Sequence, residues 1–127
     1  MNKKELTKIY KAYSLTEKDV FSDPRGFTTI TRSGIERIQL QSNIQVRYEI
    51  ITCSLENVVM KAISYIQQDG EWIHQIETFG SASIKNCRQH FLVETAEKRC
   101  LSRAIIKTLG FTNTYGDDEM KHQPHGK

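Results

Sequence analysis

No short motif that would force a phosphate, a pyrophosphate or a zinc ion into place occurs in this chain: it has no P-loop, no Gly-x-Gly-x-x-Gly fingerprint and no His-Glu-x-x-His helix. Cysteine is scarce. Cys53, Cys87 and Cys100 are odd in number and show no Cys-x-x-Cys spacing, which argues for reduced packing thiols rather than a disulfide framework or a zinc knuckle. No cofactor is expected from them. Long apolar runs are absent, so no membrane span is expected, and MNKKELTKIY turns directly into an amphipathic pattern unlike a signal peptide. The expected location is the cytoplasm. A large charge of one sign is also missing: the net charge is only +3, so any basic surface must come from clustering of cations.

The clearest element is the stretch Phe91 to Gly110, read as a helix. It places Val93, Ala96, Cys100 and Ala104, flanked by Leu101, Ile105 and Leu109, on one broad apolar side suited to lie on a sheet. Arg99, Arg103 and Lys107 recur at i, i+4 and i+8 and form one cationic stripe beside that side. Gly110 suits a left-handed position just past the helix, and Lys107 complements the negative end of the helix dipole.

Ahead of it, Leu6, Ile9, Tyr10 and Tyr13 predict a short amphipathic helix over Lys3 to Tyr13, and Ser22 to Gly26 predicts a turn before an extended Phe27 to Ile30. Ser33 and Glu36 have the spacing of a capping box, so a helix is expected to start at Ser33, with Ile35, Ile38 and Leu40 facing the core and Arg32 and Arg37 outside. Three strands follow, over Ile44 to Thr52, Val58 to Ile66 and Glu71 to Phe79. Asp69-Gly70 marks a hairpin between the last two. Gly80 to Ser83 ends the sheet with small residues, where backbone can pass close to another element. After Phe111 the polar residues 112–127 are expected to form a mobile tail beyond a single domain over 1–111.

Catalytic readings are weak. His122 and His125 lie in the polar tail, Asp117-Asp118-Glu119 reads as a charge run, His74 as an edge histidine, and Cys87 with His90 lacks an oriented third partner. The chain is not expected to be an enzyme. A binding surface remains, because Arg32, Arg37, Arg47, Lys61, Lys85, Arg88, Arg99, Arg103 and Lys107 are spread over sheet, connection and helix, and several converge if the long helix crosses the sheet. Tyr48, Tyr65, Trp72 and Phe79 lie on the strands among them. Residue by residue they are core candidates, but aromatics beside cations also suit single strands, whose bases can stack.

The order of elements is also informative. Ile30, Gly34-Ile35-Glu36-Arg37-Ile38, Phe79-Gly80-Ser81-Ala82-Ser83, and Glu97-Lys98-Arg99 through Ser102-Arg103-Ala104 to Lys107 and Gly110 resemble the single-strand annealing domain of the Rad-fifty-two recombinases and their phage and mobile-element relatives. The resemblance covers Phe27 to Gly110. It departs at Ser102-Arg103, where the family often has a Lys-Arg pair.

What the resemblance implies is an α+β fold with a β-β-β-α core, the long C-terminal helix packed across an antiparallel sheet, and shorter N-terminal helices. It further implies assembly into rings or filaments, and a basic groove that holds single-stranded DNA for annealing in recombination or repair. Arg103 and Lys107 would then touch phosphates with Arg99 beside them, and Arg32, Arg37, Lys85 and Arg88 complete the candidate DNA-binding set. A single-strand DNA-coating protein is a candidate partner. Two other readings stay open: a double-stranded DNA-binding accessory factor that reads with the Ser33 helix, and a protein-interaction module without nucleic acid.

Overall fold

The computed structural model describes residues 3–86, 91–111 and 114–120, with backbone only for 3–6, 118 and 120. In chain order the elements are α1 (Lys3–Tyr13), β1 (Val20–Ser22), β2 (Thr28–Ile30), α2 (Arg32–Ser42), β3 (Ile44–Cys53), β4 (Asn57–Gln68), β5 (Glu71–Ser83), α3 (Leu92–Leu109), β6 (Thr114–Gly116) and α4 (Asp117–Met120). The class is α+β. β3, β4 and β5 form an antiparallel sheet in that spatial order, and α3 packs across β5 and β4. A second small sheet pairs β1 with β2 antiparallel and β2 with β6 parallel.

Helix α3 has two apolar faces rather than one. Ala96, Cys100 and Ala104 meet Val58, Met60 and Ala62 of β4 and Ala82 of β5. Leu101, Ile105 and Ile106 turn the other way, into a cluster with Ile9, Leu15, Val20, Ile30, Ile35, Ile38 and Ile44. Small residues on the sheet side bring the helix close. A Cβ built on Gly80 would stand 2.6 Å from the Cys100 amide nitrogen and 3.0 Å from the Ala96 carbonyl oxygen. Val93, expected on the packed side, is 42% exposed, because the first turn of the helix turns its neighbour Leu92 into the sheet-side cluster instead. Cys100 is buried, donates its thiol to the Met60 carbonyl at 3.2 Å, and is pushed up to about 11 chiefly by burial. Cys53, in contrast, is exposed, and Cys87 lies outside the described residues.

The Asp69-Gly70 hairpin forms as expected: both residues have positive φ (52° and 82°), as a type I′ turn requires, and Gln68 pairs with Glu71 across it. Strand β5 runs on through Ser83, so the small tract Gly80 to Ser83 is strand, not terminator.

The start of α2 differs from expectation. Thr31 is the N-cap, with its hydroxyl accepting from the Gly34 amide at 3.3 Å, and Glu36 pairs with Arg32 at 3.2 Å instead of reaching back. Ser33 is taken by a more demanding partner. It donates at 2.6 Å to the buried carboxylate of Asp19, which also accepts from the Thr16 amide and hydroxyl and lies 3.8 Å from Arg37. Leu40, assigned to the core side, is 82% exposed near the end of the helix.

Burial alone would raise the Asp19 pKa, but hydrogen bonds from Ser33 and Thr16, aided by Arg37, outweigh it and hold the carboxyl below its ordinary value. A carboxyl more acidic in the folded than in the unfolded chain adds stability above the ordinary aspartate range, and that stability is lost as pH falls through the depressed value. Asp19→Asn is therefore expected to lose about 2 kcal/mol near neutral pH and to flatten the acid side of a plot of melting temperature against pH. Equal melting curves at pH 7 would contradict this.

The largest correction concerns the segment after Phe111. Residues 114–120 are not a mobile tail: β6 lies beside β2, with Thr114 and Gly116 buried, and α4 leans on α3. A three-residue strand is too short for periodicity to reveal, and its support comes from β2, far away in the chain. The segment also fits tightly, since a Cβ on Gly116 would collide with the Ser102 side chain. Among the described residues no helix is long and apolar enough to cross a membrane.

Candidate nucleic-acid groove

Helix α3 presents Arg99, Arg103 and Lys107 in one row, and β5 lies next to it as an edge strand of its sheet. Between them runs an open groove of about 570 Å³. Phe79, Gly80 and Ser81 line it from the strand, the three cations line it from the helix, and Glu119 of α4 closes one end. The groove exists because Gly80 and the small helix residues draw α3 against the strand, while Ser81 and Phe79 point away from the buried positions Gly80 and Ala82.

The three cations play different parts. Arg99 is only 6% exposed; its guanidinium donates to the Ser81 carbonyl at 2.8 Å and to the Asn86 side-chain and backbone oxygens at 2.9 and 3.0 Å. It clamps the end of β5 and the following turn onto α3, so it shapes the wall and adds positive potential from within it. Arg103 is half-exposed and donates to Glu119 at 3.2 Å. Lys107 is exposed on the next turn.

Glu119 is itself largely buried and also accepts from the Gly116 amide at 3.3 Å. Its burial raises its pKa above the ordinary glutamate value, against the pull of the Gly116 amide, Arg103 and Lys107. The Glu119 carboxyl thus rests against Arg103, with Lys107 close enough to act on it through charge.

A second carboxylate, Glu77, stands on the strand side of the groove. Lys61 covers it at 2.6 Å, and this hydrogen bond holds the Glu77 carboxyl below its ordinary value against the opposing effect of burial, with His74 adding a weaker contact at 3.2 Å.

The other predicted residues lie elsewhere. Arg32 is held by Glu36, and Arg37 donates to the Ser14 carbonyl at 3.0 Å, so both serve α2 and its neighbours rather than the groove. Lys85 is exposed in the turn beside Asn86 but does not line the groove, Arg47 is exposed on β3, and Arg88 lies outside the described residues, as do His90, His122 and His125. Of the strand aromatics, Tyr48 packs against the core under α3, where burial first and Glu97 second push its pKa to about 12. Tyr65 meets His74 edge-on at 5.9 Å, and Trp72 sits near the hairpin. Phe79 alone of the four lines the groove, with 53% of its surface exposed.

Sequence reasoning missed Glu119 as a groove residue. It stood in a charge run, and only the pairing of β6 with β2 carries it to Arg103. Among the described residues no three His, Cys, Asp or Glu side chains converge as metal ligands would. Comparison of the chain with protein-family models, with characterised proteins and with solved structures finds no match.

Proposed function

We propose that this chain binds single-stranded DNA along the groove between β5 and α3 and anneals complementary strands without nucleotide hydrolysis, acting in recombination or repair in the cytoplasm. The observation that carries this reading is the row Arg99, Arg103 and Lys107 along an open groove whose opposite wall offers the exposed ring of Phe79. Cations at successive helical turns suit a phosphate backbone, and an aromatic beside them suits a base. Annealing of this kind needs no catalytic side chain. A strand held extended on a positive surface has less conformational freedom to lose, and repulsion between the two backbones is screened.

One chain offers few cations, so affinity is expected to come from a homo-oligomer in ring or filament form. Supporting this are the two outer strands of the larger sheet, β3 and β5, and apolar side chains at one end of it, Leu55, Ile84 and Val93, which are 93%, 46% and 42% exposed. A single-strand DNA-coating protein is a further candidate partner.

The test is binding and annealing of complementary oligonucleotides at low salt without ATP, beside the same sequence as duplex. Preference for the single strand together with accelerated annealing is the expected result. Preference for duplex, or no binding of either form, would sink the reading.

Glu119 supplies a separate expectation. Its carboxylate lies on Arg103 where a phosphate would bind, so Glu119→Gln is expected to raise strand affinity roughly threefold to tenfold by removing a competing charge. Lowering the pH toward the raised pKa of Glu119 neutralises the same group, so wild-type affinity should rise as pH falls, and this slope should flatten in the variant. Anisotropy of a labelled oligonucleotide across pH measures both.

A further inference from the structure

A second, smaller hollow of about 170 Å³ lies on the other side of the Arg103, Lys107 and Glu119 side chains, which line both it and the main groove. Its remaining wall includes Phe111 and Tyr115. The two hollows thus adjoin across Arg103, Lys107 and Glu119, with Phe79 lining only the first and Tyr115 only the second.

Tyr115 is set up for this position by its strand. β6 alternates buried, exposed, buried, so Thr114 and Gly116 point inward and Tyr115 outward, leaving its ring 37% exposed. The ring is nonetheless held: it meets Phe27 edge-on at 5.5 Å with the planes at 90°. Above Phe27 stands the Arg25 guanidinium at 4.8 Å, itself fixed by two hydrogen bonds to Asp23. An aromatic side chain braced in this way loses little freedom when a flat partner settles on it.

We propose that Tyr115 is a nucleobase platform: a base of the bound strand stacks on its ring while the adjoining phosphates lie on Arg103 and Lys107. This rests on the single-strand reading above and extends it by one residue class and one direction, from the β5 groove toward the small sheet. The hollow's lining brings an aromatic ring and two cations together, the pairing a nucleotide needs, with the Glu119 carboxyl among them as the group a phosphate would displace from Arg103. One base per chain is then turned inward while its neighbours remain open for pairing.

The test compares a labelled oligo-dT with an abasic strand of the same length and phosphate count. Tyr115→Ala should weaken oligo-dT binding roughly tenfold, leave abasic-strand binding unchanged and preserve the salt slope, because stacking releases no counterions. Tyr115→Leu keeps an apolar contact for Phe27 and should show the same selective loss, whereas Tyr115→Phe should bind as the parent does. A 5-bromouracil strand should crosslink at Tyr115. Equal loss on both strands would mean that the substitution damages the site generally, and unchanged oligo-dT binding would mean that no base stacks there; either overturns the platform. Thymidine monophosphate at equal nucleotide concentration should displace the strand poorly, and efficient displacement would assign the hollow to a free nucleotide instead. If the parent protein binds neither strand, the single-strand reading falls and the platform with it. If Arg103 and Lys107 matter but Tyr115 does not, only the platform falls.

Discussion

Joint replacement of Arg103 and Lys107 by alanine is expected to weaken single-strand binding roughly hundredfold and to reduce its salt dependence. Each charge-assisted contact to a phosphate contributes about 1.5 to 3 kcal/mol, and 1.4 kcal/mol is about tenfold in affinity. On a single strand each neutralised phosphate adds about 0.7 to the slope of log affinity against log salt, so losing two cations should flatten it by about 1.4. The slope separates this cause from a folding defect. Arg103 is half-exposed and Lys107 exposed, so neither is needed for the apolar packing of α3. Arg99→Ala should behave differently, because its guanidinium holds Ser81 and Asn86: loss of thermal stability should accompany any loss of binding. A double variant that binds with the parent's affinity and slope would remove the groove from consideration.

Gly80→Val is expected to be among the most damaging single substitutions in the chain. Even alanine puts a Cβ 2.6 Å from the Cys100 backbone nitrogen and 2.9 Å from its sulfur, and backbone cannot swing aside as a side-chain tip can. Either α3 lifts from β5 or the strand bends outward. Overpacking of this kind costs about 1 to 3 kcal/mol, and the branched valine should reach or exceed the upper end. In a domain of this size about 3 kcal/mol corresponds to a drop of about 10 °C in melting temperature. The groove should open with the same displacement, so strand binding should fall at temperatures where the variant is still folded. A Gly80→Val protein that melts with the parent would show that the helix does not sit on this glycine.

How much of this was legible from residues alone depended on the length of each pattern. α3 carries eighteen residues of periodic sequence and a terminal Gly110 with φ of 70°, so its existence, its end and its cationic row could be read directly. The β4–β5 hairpin was equally plain from Asp69-Gly70. Local rules gave way where a distant partner decided the outcome. Ser33 has the spacing of a cap, but the buried Asp19 competes for its hydroxyl and Thr31 takes over the amide. Thr114 to Gly116 has no visible period, yet β2 makes it a strand and brings in Glu119.

For the site, the row of cations was readable and their inequality was not. Nothing in the spacing of Arg99, Arg103 and Lys107 distinguishes a cation clamped in a wall from one offered to solvent. That difference comes from Asn86 and Ser81 on one side and Glu119 on the other.

The parallel pairing of Thr28 with Thr114 joins segments far apart in the chain. Bringing such distant segments together closes a large loop, whose entropy must be overcome before the contact rewards it. The β3–β4–β5 meander and the seat of α3 depend on nearer neighbours, so they should assemble first, leaving residues 114–120 to dock late. During synthesis on a ribosome, a partly emerged chain would hold the basic row without its closing carboxylate. The completed groove, with Glu119 against Arg103, is then a property of the finished molecule, acquired at the last step of folding.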